Sequence, residues 1–129
     1  MVSDERGRPL RLRLTGGQVH DVTQAKPLLR GLKAKAAIAD KGYVSKDLRR
    51  YLQRKSIKPV IPPRGNARRP YAYSKYLYKK RNNVERGFNK LKHFRRLSTR
   101  FDRNDAHYLA TVTLASIQLW LRDLYVDSA

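Results

Sequence analysis

The 129-residue sequence contains no cysteine. That absence excludes a disulfide framework and any thiolate metal site, and it fits a reducing cytoplasm. Carboxylates are scarce: ten Asp and Glu stand against thirty Lys and Arg, giving a formal charge of +20 and a pI near 10.9. Such a chain seeks a polyanion, and nucleic acid is the first candidate because displaced counterions drive its binding whatever the base sequence. Long apolar runs are missing too. Residues 108–124 are the most apolar stretch, yet they include Gln118, Arg122 and Asp123 and fall short of the roughly 20 apolar residues a membrane span needs. They predict a buried helix, and no membrane partner is expected. Met1 is followed at once by Asp4, Glu5 and Arg6, which is not the start of an export signal. There is no internal repeat and no low-complexity segment. Ribosomal proteins and small basic regulators share this composition, so composition alone implies nucleic-acid binding and nothing finer.

The chain is expected to fold as one unit of modest core, residues 1–129. Residues 4–7 (Asp-Glu-Arg-Gly) predict a tight turn in which Gly7 supplies positive φ. Leu10, Leu12 and Leu14 alternate with Arg11 and Arg13, the period of a half-buried strand, and Gly16-Gly17 ends it. Asp21 stands three residues before Gln24, a capping-box spacing, and predicts a helix to about residue 32 with Asp21 as its cap. Residues 36–39 predict a short interior strand, residues 45–56 an amphipathic helix with Leu48, Tyr51 and Leu52 on one face, and residues 57–61 a second strand stopped by Pro62-Pro63. Strands alternating with helices imply an α/β sheet with right-handed crossovers. A basic loop over 64–74, one long helix over 75–96 and an apolar helix over 105–124 complete the reading.

The charge is concentrated. Residues 64–103 hold fourteen Lys and Arg against Glu85 and Asp102, a net +12 of the +20. One binding face centred on the long helix and the loop before it follows. A lone carboxylate in such a stretch, Glu85, is ordinarily a surface ion-pair partner. Around it, however, Tyr78, Arg81 and Lys92 stand at offsets of −7, −4 and +7, which at about 100° per residue return to nearly one helix face. His93 and His107 lack partners at ligand spacing and are expected at the surface, and Trp120 is expected in the core.

The spacing Tyr-x2-Arg-x3-Glu-x6-Lys resembles the signature of bacterial insertion-sequence DDE transposases of the IS-four/IS-five group. Residues 15–21, residues 39–43 (Ala-Asp-Lys-Gly-Tyr) and the runs 82–86 and 92–96 are similar to further segments of that family, so the resemblance covers essentially the whole chain. It implies an α/β, RNase-H-like (DDE/integrase-type) fold and a site binding two divalent metals, Mg²⁺ or Mn²⁺. Asp40 and Glu85 are then the catalytic metal ligands, with Tyr78, Arg81, Lys92, Arg95 and Arg96 on DNA. Two hard cations stabilise both the entering and the leaving oxygen of an in-line displacement at a phosphodiester, and Mg²⁺ takes oxygen ligands, so the chemistry is consistent. Asp40 has a second reading as a turn or capping residue before Gly42, and Tyr78 a second reading as plain packing.

The family's site needs a third carboxylate, on a strand upstream of the turn at 4–7. Asp4 falls in the turn and does not match it. The expectation is therefore an incomplete fold lacking its first strand, with an exposed edge at the strand of Leu10, Leu12 and Leu14. Its partners would be the DNA of insertion-sequence ends, an upstream transposase segment or the full-length transposase, and a second copy of itself in a homodimer. Two functions stand: part of a transposase, inactive without that upstream segment, or a non-catalytic DNA-binding remnant or regulator of the full-length enzyme. An unrelated RNA-binding protein is a third, which leaves Glu85 unexplained.

Overall fold

The computed structural model describes residues 1–16, 18–98 and 105–128, with side chains described for all of these but 94–98, 105 and 123–128. The arrangement is mixed α/β and divides into two compact units, Thr15–Asn82 and the pair of segments Met1–Leu14 and Asn83–Ala129.

Strands β1 (Val2–Ser3) and β2 (Pro9–Arg11) belong to the other unit, and within Thr15–Asn82 the order is α1 (Val22–Leu29), β3 (Ala36–Ile38), a 3-10 turn (Lys41–Tyr43), α2 (Lys46–Arg54), β4 (Lys58–Val60) and α3 (Lys75–Tyr78). Strands β3 and β4 pair in parallel, Ala36 opposite Lys58 and Ile38 opposite Val60, and α2 makes the crossover that a parallel pair requires. Ser45 starts α2 by accepting a hydrogen bond from the Leu48 backbone N–H at 3.2 Å. Ser56 ends it with φ of 57°, while the N–H of Ile57 bonds back to the Leu52 carbonyl at 2.9 Å. This 6→1 closure is a Schellman motif with serine in the place glycine usually takes. The apolar face of α2 then lands on the sheet. Leu48 and Leu52 join Ala25, Ile57 and Ile61 in the core, with Val22, Tyr43 and Tyr51 packed around them. Leu52 is 1% exposed and Val60 fully buried, each contributing about 1.5–3 kcal/mol of apolar transfer.

In the other unit, β1 (Val2–Ser3) pairs antiparallel with β2 (Pro9–Arg11) through a turn tied by Asp4. The Asp4 carboxylate accepts from the backbone N–H groups of Arg6 and Arg8 and from Arg8 Nε at 2.7 Å, and Gly7 has φ of 78°. Helices α4 (Arg81–Ser98) and α5 (Asp105–Ser128) follow. Leu91, Ala115 and Leu119 make a small core with Met1 and Val112 against it. Trp120 is half-buried beneath the Arg8 guanidinium at 3.9 Å, and its Nε1 donates to the Pro9 carbonyl at 2.7 Å, which fixes the hairpin to α5.

Three expectations change. The strands of the described residues form two separate two-stranded pairs rather than one sheet. The strand expected over Leu10, Leu12 and Leu14 ends at Arg11, with Leu10 and Leu14 exposed. The helix α5, expected to be buried, exposes Leu114 (66%), Ile117 and Leu121. It is apolar on both sides, and its described neighbours cover one side only. Among the described residues no helix is long and apolar enough to cross a membrane.

Candidate active site

Strand β3 delivers Asp40. After Ile38 the Ala39 N–H still bonds the Val60 carbonyl at 3.2 Å, and Asp40 then leaves the ladder in an extended conformation, φ −77° and ψ 175°. Its Oδ1 accepts from the Gly42 N–H at 2.8 Å and so caps the turn Lys41–Tyr43. The capping reading of Asp40 is realised. The cap engages Oδ1 and fixes the direction in which the carboxylate stands at the strand's C-terminal end, where open α/β sheets place ligand-binding residues. A Cβ on Gly42 would lie 2.9 Å from that Oδ1, so the close approach suits glycine.

Tyr43, half-buried behind this turn, reports a second carboxylate. Burial raises its phenol above the ordinary tyrosine pKa, and the negative charges of Asp21 and then Asp40 raise it further. Asp21 is the residue that sequence reasoning set aside. It does not cap α1 with its side chain: its backbone is already helical, φ −56° and ψ −33°, whereas a capping side chain needs an extended residue beneath it. The cap falls to the His20 carbonyl, which accepts from both the N–H and the Oγ1 of Thr23. The capping box with Gln24 is absent, and α1 stops at Leu29. The exposed Asp21 carboxylate therefore shares the surroundings of Tyr43 with Asp40. The only signal in the sequence was the pair His20-Asp21 itself, which local capping rules absorb.

The long helix expected over 75–96 is two helices. The Lys80 N–H bonds the Leu77 carbonyl at 3.0 Å and the Asn82 N–H bonds Lys79 at 3.3 Å, a tightening to i→i+3 closure that ends α3 at Tyr78. Side chains three apart eclipse in such a step. Arg81 accordingly stacks over the Tyr78 ring at 5.5 Å, and Tyr73 meets that ring edge-on at 5.7 Å. Tyr78 thus leaves the expected four-residue stripe and is held by packing. Arg81, Glu85 and Lys92 remain on one helix, α4, at offsets that keep one face. Glu85 and Lys92 are exposed and Arg81 half-buried. His93 and His107 are exposed, as expected. Arg95 and Arg96 belong to α4, but their side chains lie outside the described residues.

The turn of α4 that carries Glu85 is seated from behind. Asn83 Nδ2 donates to the Glu5 carbonyl at 2.6 Å. A Cβ on Gly7 would come within 2.1 Å of the Asn83 carbonyl oxygen, and one on Gly87 within 2.2 Å of the Gly7 oxygen. Asn83 and Gly87 are one turn apart, and Glu85 lies about 200° from each, on the face opposite the hairpin. Two glycines therefore set the height and rotation of the Glu85 turn from the side away from its carboxylate. Sequence reasoning missed Asn83 and Gly87, whose partners are nearly eighty positions away.

Chemically, Asp21, Asp40 and Glu85 are hard oxygen donors of the kind Mg²⁺ and Mn²⁺ take, and Arg81 and Lys92 on α4 are side chains of the kind that pair with phosphates. Among the described residues no group of three His, Asp or Glu side chains gathers at metal-binding geometry, so the donor type fits a divalent ion while the described set falls short of three.

The family model for the transposase DDE domain matches residues 1–120. A protein of Burkholderia cepacia, provisionally named as a transposase for insertion sequence element IS402, is 41% identical over 120 residues, covering 83% of this chain and 54% of its own length. The chain thus spans about half of that relative. A protein of Brucella ovis, provisionally named as a transposase for element IS6501, is 36% identical over 124 residues, 94% of this chain and 95% of its own. No solved structure matches the chain. A match over nearly the full length, on the segments that hold Asp40 and Glu85, places this chain in the DDE transposase domain family.

Proposed function

We propose that residues 1–129 are the C-terminal portion of a catalytic domain that cleaves and transfers DNA strands at insertion-sequence ends, in the bacterial cytoplasm, with Mg²⁺ or Mn²⁺. The observation that supports this best is Glu85, the one acidic residue in the eighteen of α4, set among cations and backed by a close glycine seat. Pure DNA binding gives no reason to place a carboxylate there. Asp40 and Glu85 are the metal ligands and catalytic residues, and Asp21 is a further carboxylate whose charge, like that of Asp40, acts on Tyr43. The bound ions supply charge stabilisation to the entering and leaving oxygens. Arg81, Lys92, Arg95 and Arg96 neutralise phosphates, and Tyr78 contributes through its stacking with Arg81. The partners are the element's end DNA, an upstream transposase segment or the full-length transposase, and a second copy of the chain.

The fold in this reading is an RNase-H-like one without its first strand, so the chain is inactive until an upstream segment adds the third carboxylate. The test is Mg²⁺-dependent nicking of an end-containing duplex by the chain alone and by the chain joined in frame to its upstream coding sequence. Nicking by the joined protein only, lost on the order of 10²–10³-fold in Glu85→Gln with DNA binding kept, is the expected result. Binding without nicking in the joined protein would establish the regulatory, non-catalytic reading instead.

A further inference from the structure

Four tyrosines lie within eight residues of one another at 71–78, and three of them have partners. Tyr71 lies beneath the Arg49 guanidinium at 3.4 Å, while Tyr73 and Tyr78 meet edge to face, with Arg81 over Tyr78. Tyr76 is different. It is 74% exposed, and among the described residues it has no ring, cation or hydrogen-bond partner. Its helix α3 is nevertheless a fixed mount, since Ser74 Oγ accepts from the Leu77 N–H and the i→i+3 step closes its other end. The charged residues nearby in the sequence are all cationic: residues 62–84 contain seven Lys and Arg and no carboxylate, with Lys79 and Lys80 three and four positions beyond Tyr76.

An aromatic ring left in water on a rigid mount, amid phosphate-neutralising side chains, matches the chemistry by which proteins hold unpaired nucleotides. There the ring takes a base face and the cations track the backbone. Duplex bases are already stacked and cannot reach such a ring without a cost of a few kcal/mol. An acidic peptide would answer the charge but would give the ring no use. We propose that Tyr76 is a base-stacking residue for single-stranded DNA, with Lys79 and Lys80 on the adjoining phosphates. The assignment rests on the DNA-binding reading above. It gives the base contact to Tyr76 and not to Tyr78, whose ring already meets Arg81 and Tyr73.

The test uses the full chain and three labelled ligands at one ionic strength: an oligothymidine carrying a single 2-aminopurine, an abasic oligomer of the same length, and a duplex. In anisotropy titrations, Tyr76→Ala is expected to weaken oligothymidine binding about tenfold, within the roughly 5- to 150-fold range one stacked base supplies. Abasic and duplex binding should change less than about twofold, because the phosphate contacts are untouched. Tyr76→Phe should bind as the wild type does, since stacking needs the ring and not the hydroxyl. Quenching of 2-aminopurine should accompany binding by the wild type and Tyr76→Phe and be lost in Tyr76→Ala, a signature that charge alone would not move. Retained duplex binding with Tyr76→Ala indistinguishable from wild type on oligothymidine, or equally weakened on the abasic oligomer, overturns the assignment alone. Failure of the wild type to bind any of the three overturns the DNA reading and this assignment with it, and preferential binding of a polyglutamate peptide would replace DNA as the occupant.

Discussion

The two units reach their packing by different routes. Thr15–Asn82 assembles from neighbours in sequence: a serine cap, an amphipathic helix, a Schellman closure and two short strands enclose Leu52 within a contiguous stretch. The unit of Met1–Leu14 and Asn83–Ala129 joins residues far apart in the chain, with Asn83 bonded to Glu5 and Trp120 to Pro9 across 78 and 111 positions. Among the described residues its core is smaller, and Gly7 approaches the Asn83–Gly87 turn so closely that a Cβ on Gly7 or Gly87 would meet backbone oxygen. One unit tolerates change according to volume, the other according to whether a Cβ is present at all. The carboxylates divide the same way: the turn at Asp40 is stabilised by local hydrogen bonds, and the turn at Glu85 by a distant hairpin.

The largest effect should come from Gly7→Ala. The substitution forces an L side chain into φ of 78° and drives its Cβ to 2.1 Å from the Asn83 carbonyl oxygen. Left-handed strain of about 1–2 kcal/mol and a clash of about 1–3 kcal/mol predict a loss near 4 kcal/mol in urea unfolding. Gly31→Ala is the control that sharpens the contrast, because φ is also positive, 75°, but nothing lies within 4 Å of the added carbon. It should lose about 1 kcal/mol, and equal losses at the two glycines would show that the hairpin seat contributes nothing. Next in size is Leu52→Ala in the other unit, expected to cost about 3 kcal/mol through lost transfer energy and a cavity. A loss under about 1 kcal/mol would mean that the sequence-local core is not a packed one.

The smallest effect concerns pH. The Tyr43 phenol has a raised pKa in the fold, so the neutral form is the one that the native state favours. Stability from this group is complete below pH 10, the ordinary tyrosine value, and is lost as pH rises through 10 towards the higher folded value. Thermal melts from pH 8 to 11 should therefore show an alkaline decline that Tyr43→Phe flattens. Asp21→Asn should flatten part of it, since that charge adds to the shift. An unchanged profile in Asp21→Asn would separate Asp21 from the surroundings of Tyr43.

What the sequence made legible follows the same division. The strand expected over 36–39, the amphipathic helix expected over 45–56 and the positive φ of Gly7 are each written in a few adjacent residues, and the structure has them, the strand as Ala36–Ile38 and the helix as Lys46–Arg54. The break between Tyr78 and Arg81 was not legible, because no glycine or proline marks it; a shift from i→i+4 to i→i+3 closure does, and periodicity cannot see that shift. Asp21 was misread because its spacing to Gln24 suits a capping box, while the backbone angle that decides capping is not a property of the spacing. The outward face of Leu114, Ile117 and Leu121 was misread as core because an apolar helix gives no sign of which side is covered. Gly87 was passed over because its partner is Gly7, remote in sequence, so that neither residue announces the contact alone.

The proposed chemistry requires Asp40 and Glu85 to be metal ligands rather than a cap and an ion-pair partner. The most direct measurement is a Mn²⁺ titration followed by electron paramagnetic resonance on the wild type, Asp40→Asn and Glu85→Gln. Asparagine at 40 keeps a side-chain oxygen able to accept the Gly42 N–H, and glutamine at 85 keeps the size of the side chain, so each substitution removes charge with little change of shape. Weak Mn²⁺ binding by the wild type, lowered at least tenfold by each substitution with unchanged thermal melts, is the expected result. Titration curves of both variants that superimpose on the wild type would contradict it, and would leave Asp40 a turn cap and Glu85 one charge on a DNA-binding helix.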